Sequence, residues 1–233
     1  MIPFSKASLF TLVILLCLLV NGCQRANRSD FDCSQIDIEQ LKKAAQAGLP
    51  EAQNELGQHY EKGECVSHDF EEAAHWYQLA AEQGNINAQK VLAFMYAGGM
   101  GLPQDYNRSL HWFMSAANAG HPEAQFGLAI AYFRGLGVEK DLASAFDWFK
   151  KSAEQNFARS QYNLGNLYRN GQGVEPNLVE AFKWYGLAAR NGYAKADKAL
   201  RELEKELPAE LVAEARQSIA EWSPRSRADR EGL

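Results

Sequence analysis

The sequence predicts an all-α fold, an α/α superhelical solenoid of helix-turn-helix repeats, and three observations predict it. A frame recurs every 36 residues: Ala52, Ala88, Ala124 and Ser160 open it, Leu56, Leu92, Leu128 and Leu164 come four later, and Tyr60, Tyr96, Tyr132 and Tyr168 eight later. A glycine follows at the third position after each Tyr, as Gly63, Gly99, Gly135 and Gly171. Asp69, Asp105, Asp141 and Asn177 then head a second segment in which Trp76, Trp112, Trp148 and Trp184 hold one position. A fixed period of this length marks units that cannot bury their apolar faces alone and so stack on one another.

The N-terminal residues stand outside that frame. Residues 1–22 read as an export signal: Lys6 precedes an apolar run from Leu9 to Val20 that is too short to span a bilayer comfortably. The run ends at Val20-Asn21-Gly22-Cys23, which resembles the lipobox of bacterial lipoproteins, with Asn21 where a small or apolar residue is usual. That resemblance implies cleavage before Cys23 and lipid on its thiol; an ordinary signal peptide or an uncleaved anchor is the alternative. Residues 23–35 would then form the lipidated Cys and a tether. In bacteria of the enteric type, Gln24 after the Cys resembles outer-membrane sorting, with the chain facing the periplasm.

Residues 36–51 read as half a repeat, because Ala44, Ala45 and Gly48 stand one period before Ala80, Ala81 and Gly84. Four full units follow at 52–87, 88–123, 124–159 and 160–195. In each, apolar positions at i, i+4 and i+8 predict a first helix, which the glycine after Tyr ends in the left-handed conformation. The Asp or Asn is a good N-cap for a second helix, and Asp69 with Glu72 offers a capping-box pair. Ala73, Trp76, Leu79 and Ala80 predict the stripe that packs this helix on the first, with the Trp and Tyr rows as core. Residues 196–222 read as C-terminal capping helices, the last opening at Pro208 and running to Trp222. The segment 223–233 is polar and expected to be disordered.

The unit SQYNLGNLYRNGQGVEPNLVEAFKWYGLAARNG, like its three siblings, closely resembles the Sel1-like repeat family, relatives of the tetratricopeptide repeat. The resemblance covers Ile36 to about Ala199. It implies a solenoid that offers a surface to protein partners. Three residues depart from the pattern: Cys65 replaces the second loop glycine of the first unit, Pro103 replaces a loop residue in the second, and Asn156 replaces the glycine seen at Gly84, Gly120 and Gly192.

The chemistry-bearing residues are few. The four cysteines divide into Cys17 in the signal, Cys23 for lipid, and Cys33 and Cys65, which fall at the same end of adjacent layers. In an oxidising compartment these two are expected to pair; two separate thiols are the alternative. His75 and His111 share one repeat position on helices about 10 Å apart, too far to share a zinc ion, so no metal or cofactor is expected. Serine-dependent β-lactam chemistry, linked to some Sel1-like proteins, needs Ser-x-x-Lys, and no serine of this chain has that spacing. The formal net charge of −5 gives no general case for nucleic-acid binding.

In the related tetratricopeptide fold the first helices line the concave groove. The resemblance maps that row onto Phe94, then Phe126, Ile130, Phe133 and Arg134, then Arg159, Tyr162 and Arg169. Phe126, Ile130 and Phe133 lie opposite Leu128 on a helical wheel, so apolar side chains face away from the core position. Such a row could seat a peptide by an aromatic anchor with arginines taking carboxylates; burial against neighbouring first helices is the alternative. The expectation is a monomeric, non-enzymatic scaffold anchored in the bacterial envelope that binds a protein or peptide. Peptidoglycan or another glycan stacked on Phe133 and Tyr162 is a further alternative, and a β-lactam-interacting hydrolase another.

Overall fold

The computed structural model of the protein describes residues 37–224. The expected signal, Cys23, Gln24, Cys33 and residues 225–233 of the tail lie outside the described residues. Within them the chain forms eleven helices and no strand: α1 Ile38–Gln46, α2 Pro50–Lys62, α3 Phe70–Glu82, α4 Ile86–Gly98, α5 Tyr106–Asn118, α6 Pro122–Arg134, α7 Leu142–Ala153, α8 Ala158–Asn170, α9 Leu178–Arg190, α10 Ala194–Glu204 and α11 Ala209–Glu221. Each of the helices α1 to α9 packs on the next in sequence, which is the all-α repeat solenoid. None of the described helices is long and apolar enough to cross a membrane.

Local chemistry sets the helix ends. Gly63, Gly99, Gly135 and Gly171 close the first helices at φ between 64° and 74°, the left-handed region that costs a glycine little. Asp69, Asp105 and Asp141 each accept two backbone N–H groups at the start of the second helices, and Asn177 accepts one. Each such cap contributes about 1 kcal/mol. The capping box expected of Asp69 and Glu72 is not formed. The Asp69 N–H donates instead to the Tyr60 carbonyl at 3.0 Å, and the same bond recurs from Asp105 to Tyr96, Asp141 to Tyr132 and Asn177 to Tyr168. The donor a Glu side chain would satisfy is already used to fold the second helix back on the first.

The core differs from the expected stripe: Ala73 and Ala80 are buried, but Trp76 and Leu79 are half-buried, as are Tyr60, Tyr132 and Tyr168 of the Tyr row. Leu56, Leu92, Leu128 and Leu164 are fully buried, as are the small residues Ala73, Ala80, Ala116 and Ala153. Between the helices, however, the buried aromatic is Tyr77, Phe113, Phe149 or Tyr185, the residue after the Trp. Trp76, Trp112 and Trp148 are half-buried at the edge of the layer, with Lys151 over the Trp148 ring at 4.0 Å. A helix turns about 100° per residue, so the position after the Trp points into the first helix while the Trp covers the seam.

A buried glutamine ties each unit to the one before. The Nε2 amides of Gln53, Gln89, Gln125 and Gln161 donate to the carbonyls of Ala45, Ala81, Ala117 and Ala153 at 3.1–3.2 Å. Their Oε1 atoms accept from Gln83, Ser115, Gln155 and Asn191 of the same unit. A buried amide satisfied at both ends fixes the offset between layers, since a shift would leave polar groups unpaired.

The loops add a contact between layers. A Cβ on Gly101, Gly137 or Gly173 would lie 2.0–2.4 Å from the carbonyl oxygen of Phe70, Tyr106 or Leu142, at the start of the preceding unit's second helix. Cys65 holds the equivalent place in the first unit, also at positive φ (62°).

The C-terminus departs from the repeat. α10 takes the place of a fifth first helix, but α11 packs on α9. Ile219 sits against Gly186, a position occupied by Gln78, Met114 and Lys150 on the other second helices. Trp222 meets Trp184 edge to face at 5.1 Å, and Trp184 is buried where its three counterparts are not.

Candidate functional site

The first helices α4 and α6 of adjacent units touch each other directly. All eight residues expected to line a groove lie on first helices. Their surroundings divide the row into an apolar middle and polar ends.

In the middle, Phe94 meets Phe113 edge to face at 4.8 Å, and Phe126 packs on Phe149 and Phe157 at 5.9 and 5.5 Å. Phe94, Phe126, Ile130 and Phe133 are each half-buried, so one flank is used for packing and the other is open. Lys140 stands 6.0 Å over the Phe133 ring. Phe94, Phe126 and Ile130 border an apolar pocket of about 120 Å³ between α4 and α6, floored by Phe113 and Ser109 and closed at the loop end by Tyr106 and Leu136.

Toward the ends the second-helix aromatic gains a hydroxyl, and the first helix supplies its acceptor. Tyr77 donates to the Glu61 carboxylate, and Tyr185 donates to Asn166 Oδ1 at 2.7 Å. Burial, and then the Glu61 carboxylate, hold the Tyr77 hydroxyl far above the usual phenol range; burial foremost pushes Tyr185 up to about 12. Both rings rest on a glycine: a Cβ on Gly57 would lie 3.0 Å from Tyr77, and one on Gly165 2.7 Å from Tyr185. Where the second helix carries Phe113 or Phe149, the corresponding first-helix residue is Ala93 or Ala129. Tyrosine goes with glycine and phenylalanine with alanine.

The three arginines are not equivalent. Arg169 forms an ion pair with Glu206 at 2.6 Å, which ties α8 to the turn after α10. Arg134 and Arg159 are exposed and have no ion pair among the described residues. Tyr162 is half-buried between Tyr185 and Tyr193, with ring centroids at 5.6 and 5.1 Å. The apolar middle and the two open arginines therefore occupy units two to four, while Lys90 is paired with Glu123 at 3.2 Å.

Other chemistry-bearing residues lie elsewhere. His75 and His111 are exposed on the second helices, edge-on to Trp76 and Trp112. Cys65 is held in a disulfide. Its expected partner Cys33 lies outside the described residues. Asn156 does more than replace a glycine: at φ 64° its Oδ1 accepts from Gln161, Asn191 and Trp222.

Two features of the groove wall escaped the sequence reading although each has a 36-residue signal. One is the row Gln53, Gln89, Gln125 and Gln161 directly after the opening Ala or Ser; the other is the aromatic row directly after the Trp. The Trp row is invariant and drew the core assignment, whereas its neighbour alternates between Tyr and Phe.

Comparison with known proteins agrees with this geometry. The family model described as the Sel1 repeat matches residues 50–85, 86–121, 122–157 and 158–193. Among solved structures, a protective antigen present in uropathogenic Escherichia coli strains and displaying an SLR fold is 34% identical, with a TM-score of 0.74 over 84% of this chain and 43% of that one. A Sel1 repeat protein from Oxalobacter formigenes is 39% identical, with a TM-score of 0.63 over 70% of this chain and 48% of that one. This chain thus spans less than half the length of either. No curated protein is similar enough to count as a match.

Proposed function

The chain belongs to the Sel1 repeat family, generally a family of non-catalytic scaffolds for protein interaction, and from that premise we propose that it is a monomeric adaptor anchored in the bacterial cell envelope. It holds a protein or peptide partner in the concave groove of units two to four. The observation that carries this reading is the row Phe94, Phe126, Ile130 and Phe133, apolar side chains half-exposed on the first helices beside the unpaired Arg134. An apolar strip flanked by cations that make no internal ion pair suits a partner bringing its own carboxylates.

The address is part of the proposal. Cys23 carries lipid, Gln24 directs the chain to the outer membrane, and the solenoid faces the periplasm. Cys33 pairs with Cys65: one period before Phe70, whose carbonyl Gly101 touches, stands Ser34, the neighbour of Cys33. The repeat register supports this pairing.

Site-specific photo-crosslinking tests the groove. A crosslinker placed at Phe126 is expected to trap an envelope protein, and one at the exposed His75 on the second helix α3 is not. Loss of capture in the Arg134→Glu protein, with unchanged helicity, supports the groove. Equal capture from both positions overturns it. Fatty-acid labelling that survives Cys23→Ser overturns the anchor.

A further inference from the structure

The pocket between α4 and α6 exists because three side chains are small in one layer and large in the layers beside it. Ala97, Gly127 and Ala131 surround it. One period earlier the same three places hold Glu61, Val91 and Met95; one period later they hold Phe133, Asn163 and Leu167. Repeat packing ordinarily fills the space under the first helices, as buried Met95 and Leu167 do. At this junction the chain leaves it open, and Phe113 leans over Gly127 to form the floor.

The volume of about 120 Å³ is that of about four heavy groups at ~30 Å³ each, the size of a leucine or methionine side chain. Its lining is apolar, with the Ser109 hydroxyl as one of the few polar groups. Among the charged side chains of α4 and α6, Lys90 and Glu123 neutralise each other, which leaves Arg134 open. Arg134 stands one helical turn beyond Ile130 at the rim, a rise of about 5–6 Å. In an extended peptide, side chains two residues apart lie on one side about 6.6 Å apart. The geometry points to a specific occupant: an extended partner segment that buries one leucine or methionine in this pocket and sets an acidic side chain, two residues away, on Arg134. This inference rests on the groove reading and names what that groove selects.

The probe is a labelled nine-residue Gly/Ser peptide with a central Leu-Ser-Glu, titrated against the purified full chain by fluorescence anisotropy. The parent peptide is expected to bind at least about tenfold more tightly than versions with Leu→Ala or Glu→Lys. Ala131→Leu, which places in this layer the residue present at Leu167, is expected to abolish that difference while the melting temperature holds. Ala97→Phe, the counterpart of Phe133, closes the same space and serves if Ala131→Leu fails to fold. Arg134→Glu is expected to reverse the preference, so that the Glu→Lys peptide becomes the tighter ligand. Absence of binding, equal binding of the parent and Leu→Ala peptides, or binding untouched by filling the pocket overturns the proposal. Partner crosslinking from Phe126 separates it from the groove reading, because Phe133 belongs to the groove row but does not line the pocket: capture that survives Ala131→Leu but not Phe133→Ala overturns the pocket alone, whereas capture that survives both overturns the groove.

Discussion

The indole N–H of Trp222 donates to Oδ1 of Asn156 at 3.1 Å, across 66 positions of sequence. Through this bond the end of the last helix is fastened to the turn that closes the third unit. Asn156 holds the left-handed conformation that Gly84, Gly120 and Gly192 hold elsewhere, and adds an acceptor that glycine lacks.

Asn156→Gly keeps the turn and removes the acceptor. The backbone has no reason to move, so the loss should be confined to the bonds from Gln161, Asn191 and Trp222. A destabilisation of about 1–2 kcal/mol is expected, with tryptophan emission shifted to the red. Chemical denaturation followed by fluorescence measures both.

Gly186→Lys tests why α11 leaves the repeat pattern. Ile219 Cδ1 would lie 2.3 Å from a Cβ at Gly186, and Lys150 shows that lysine is compatible with a second helix at this position. The variant is expected to release α11 and leave α1 to α10 stacked. Limited proteolysis should then cut between Leu207 and Trp222 at least about tenfold faster, while helicity falls only by the share of one helix.

Phe113→Tyr and Tyr185→Phe make the same exchange of one hydroxyl in opposite directions. Phe113 is buried against Ala93 and Phe94 with no polar acceptor of the kind Glu61 and Asn166 supply, so the added hydroxyl should cost about 1–3 kcal/mol. Tyr185→Phe gives up its bond to Asn166, at a cost of about 1 kcal/mol. Urea midpoints of the two variants are expected to fall in that order.

His121 introduces a dependence on acid. It precedes Pro122 at the start of α6 and makes no side-chain cap, whereas Asn85 in the same place accepts from Ala88. Burial, reinforced by Lys90, holds the His121 pKa below the usual histidine value. The unfolded chain therefore binds this proton more readily than the folded one. Stability is full above about pH 6.5 and declines as pH falls from there toward the lower folded value. His121→Asn is expected to gain about 1 kcal/mol at neutral pH through the restored cap. Its advantage should widen at pH 5, as denaturant midpoints at the two pH values will show.

What the sequence disclosed and what it hid follow from how local each interaction is. Gly63 and its three counterparts, and the caps Asp69, Asp105, Asp141 and Asn177, act within a few residues of themselves, so their spacing could be read directly. The docking of α11 depends on Gly186 lacking a side chain that its counterparts carry, a comparison along the repeat rather than along the helix. The pocket is further from view, because Ala97, Gly127 and Ala131 lie on two helices and matter only through what stands at the same places in the next layers. Of the eight expected groove residues, the wheel put Phe126, Ile130 and Phe133 opposite Leu128, but it could not show that Phe126 leans on Phe149 or that Arg169 is taken by Glu206.

The close approach at Gly101, Gly137 and Gly173 has a consequence for how such a chain could be rebuilt. The second, third and fourth units carry the glycine that admits a preceding layer, so by this criterion they are interchangeable parts. The first unit is not, because a copy moved inward would bring the Cβ of Cys65 to within about 2 Å of a backbone carbonyl, well inside van der Waals contact. The array can accordingly be lengthened by duplicating any of its later units, whereas a copy of the first, set behind another full unit, would need glycine in place of Cys65.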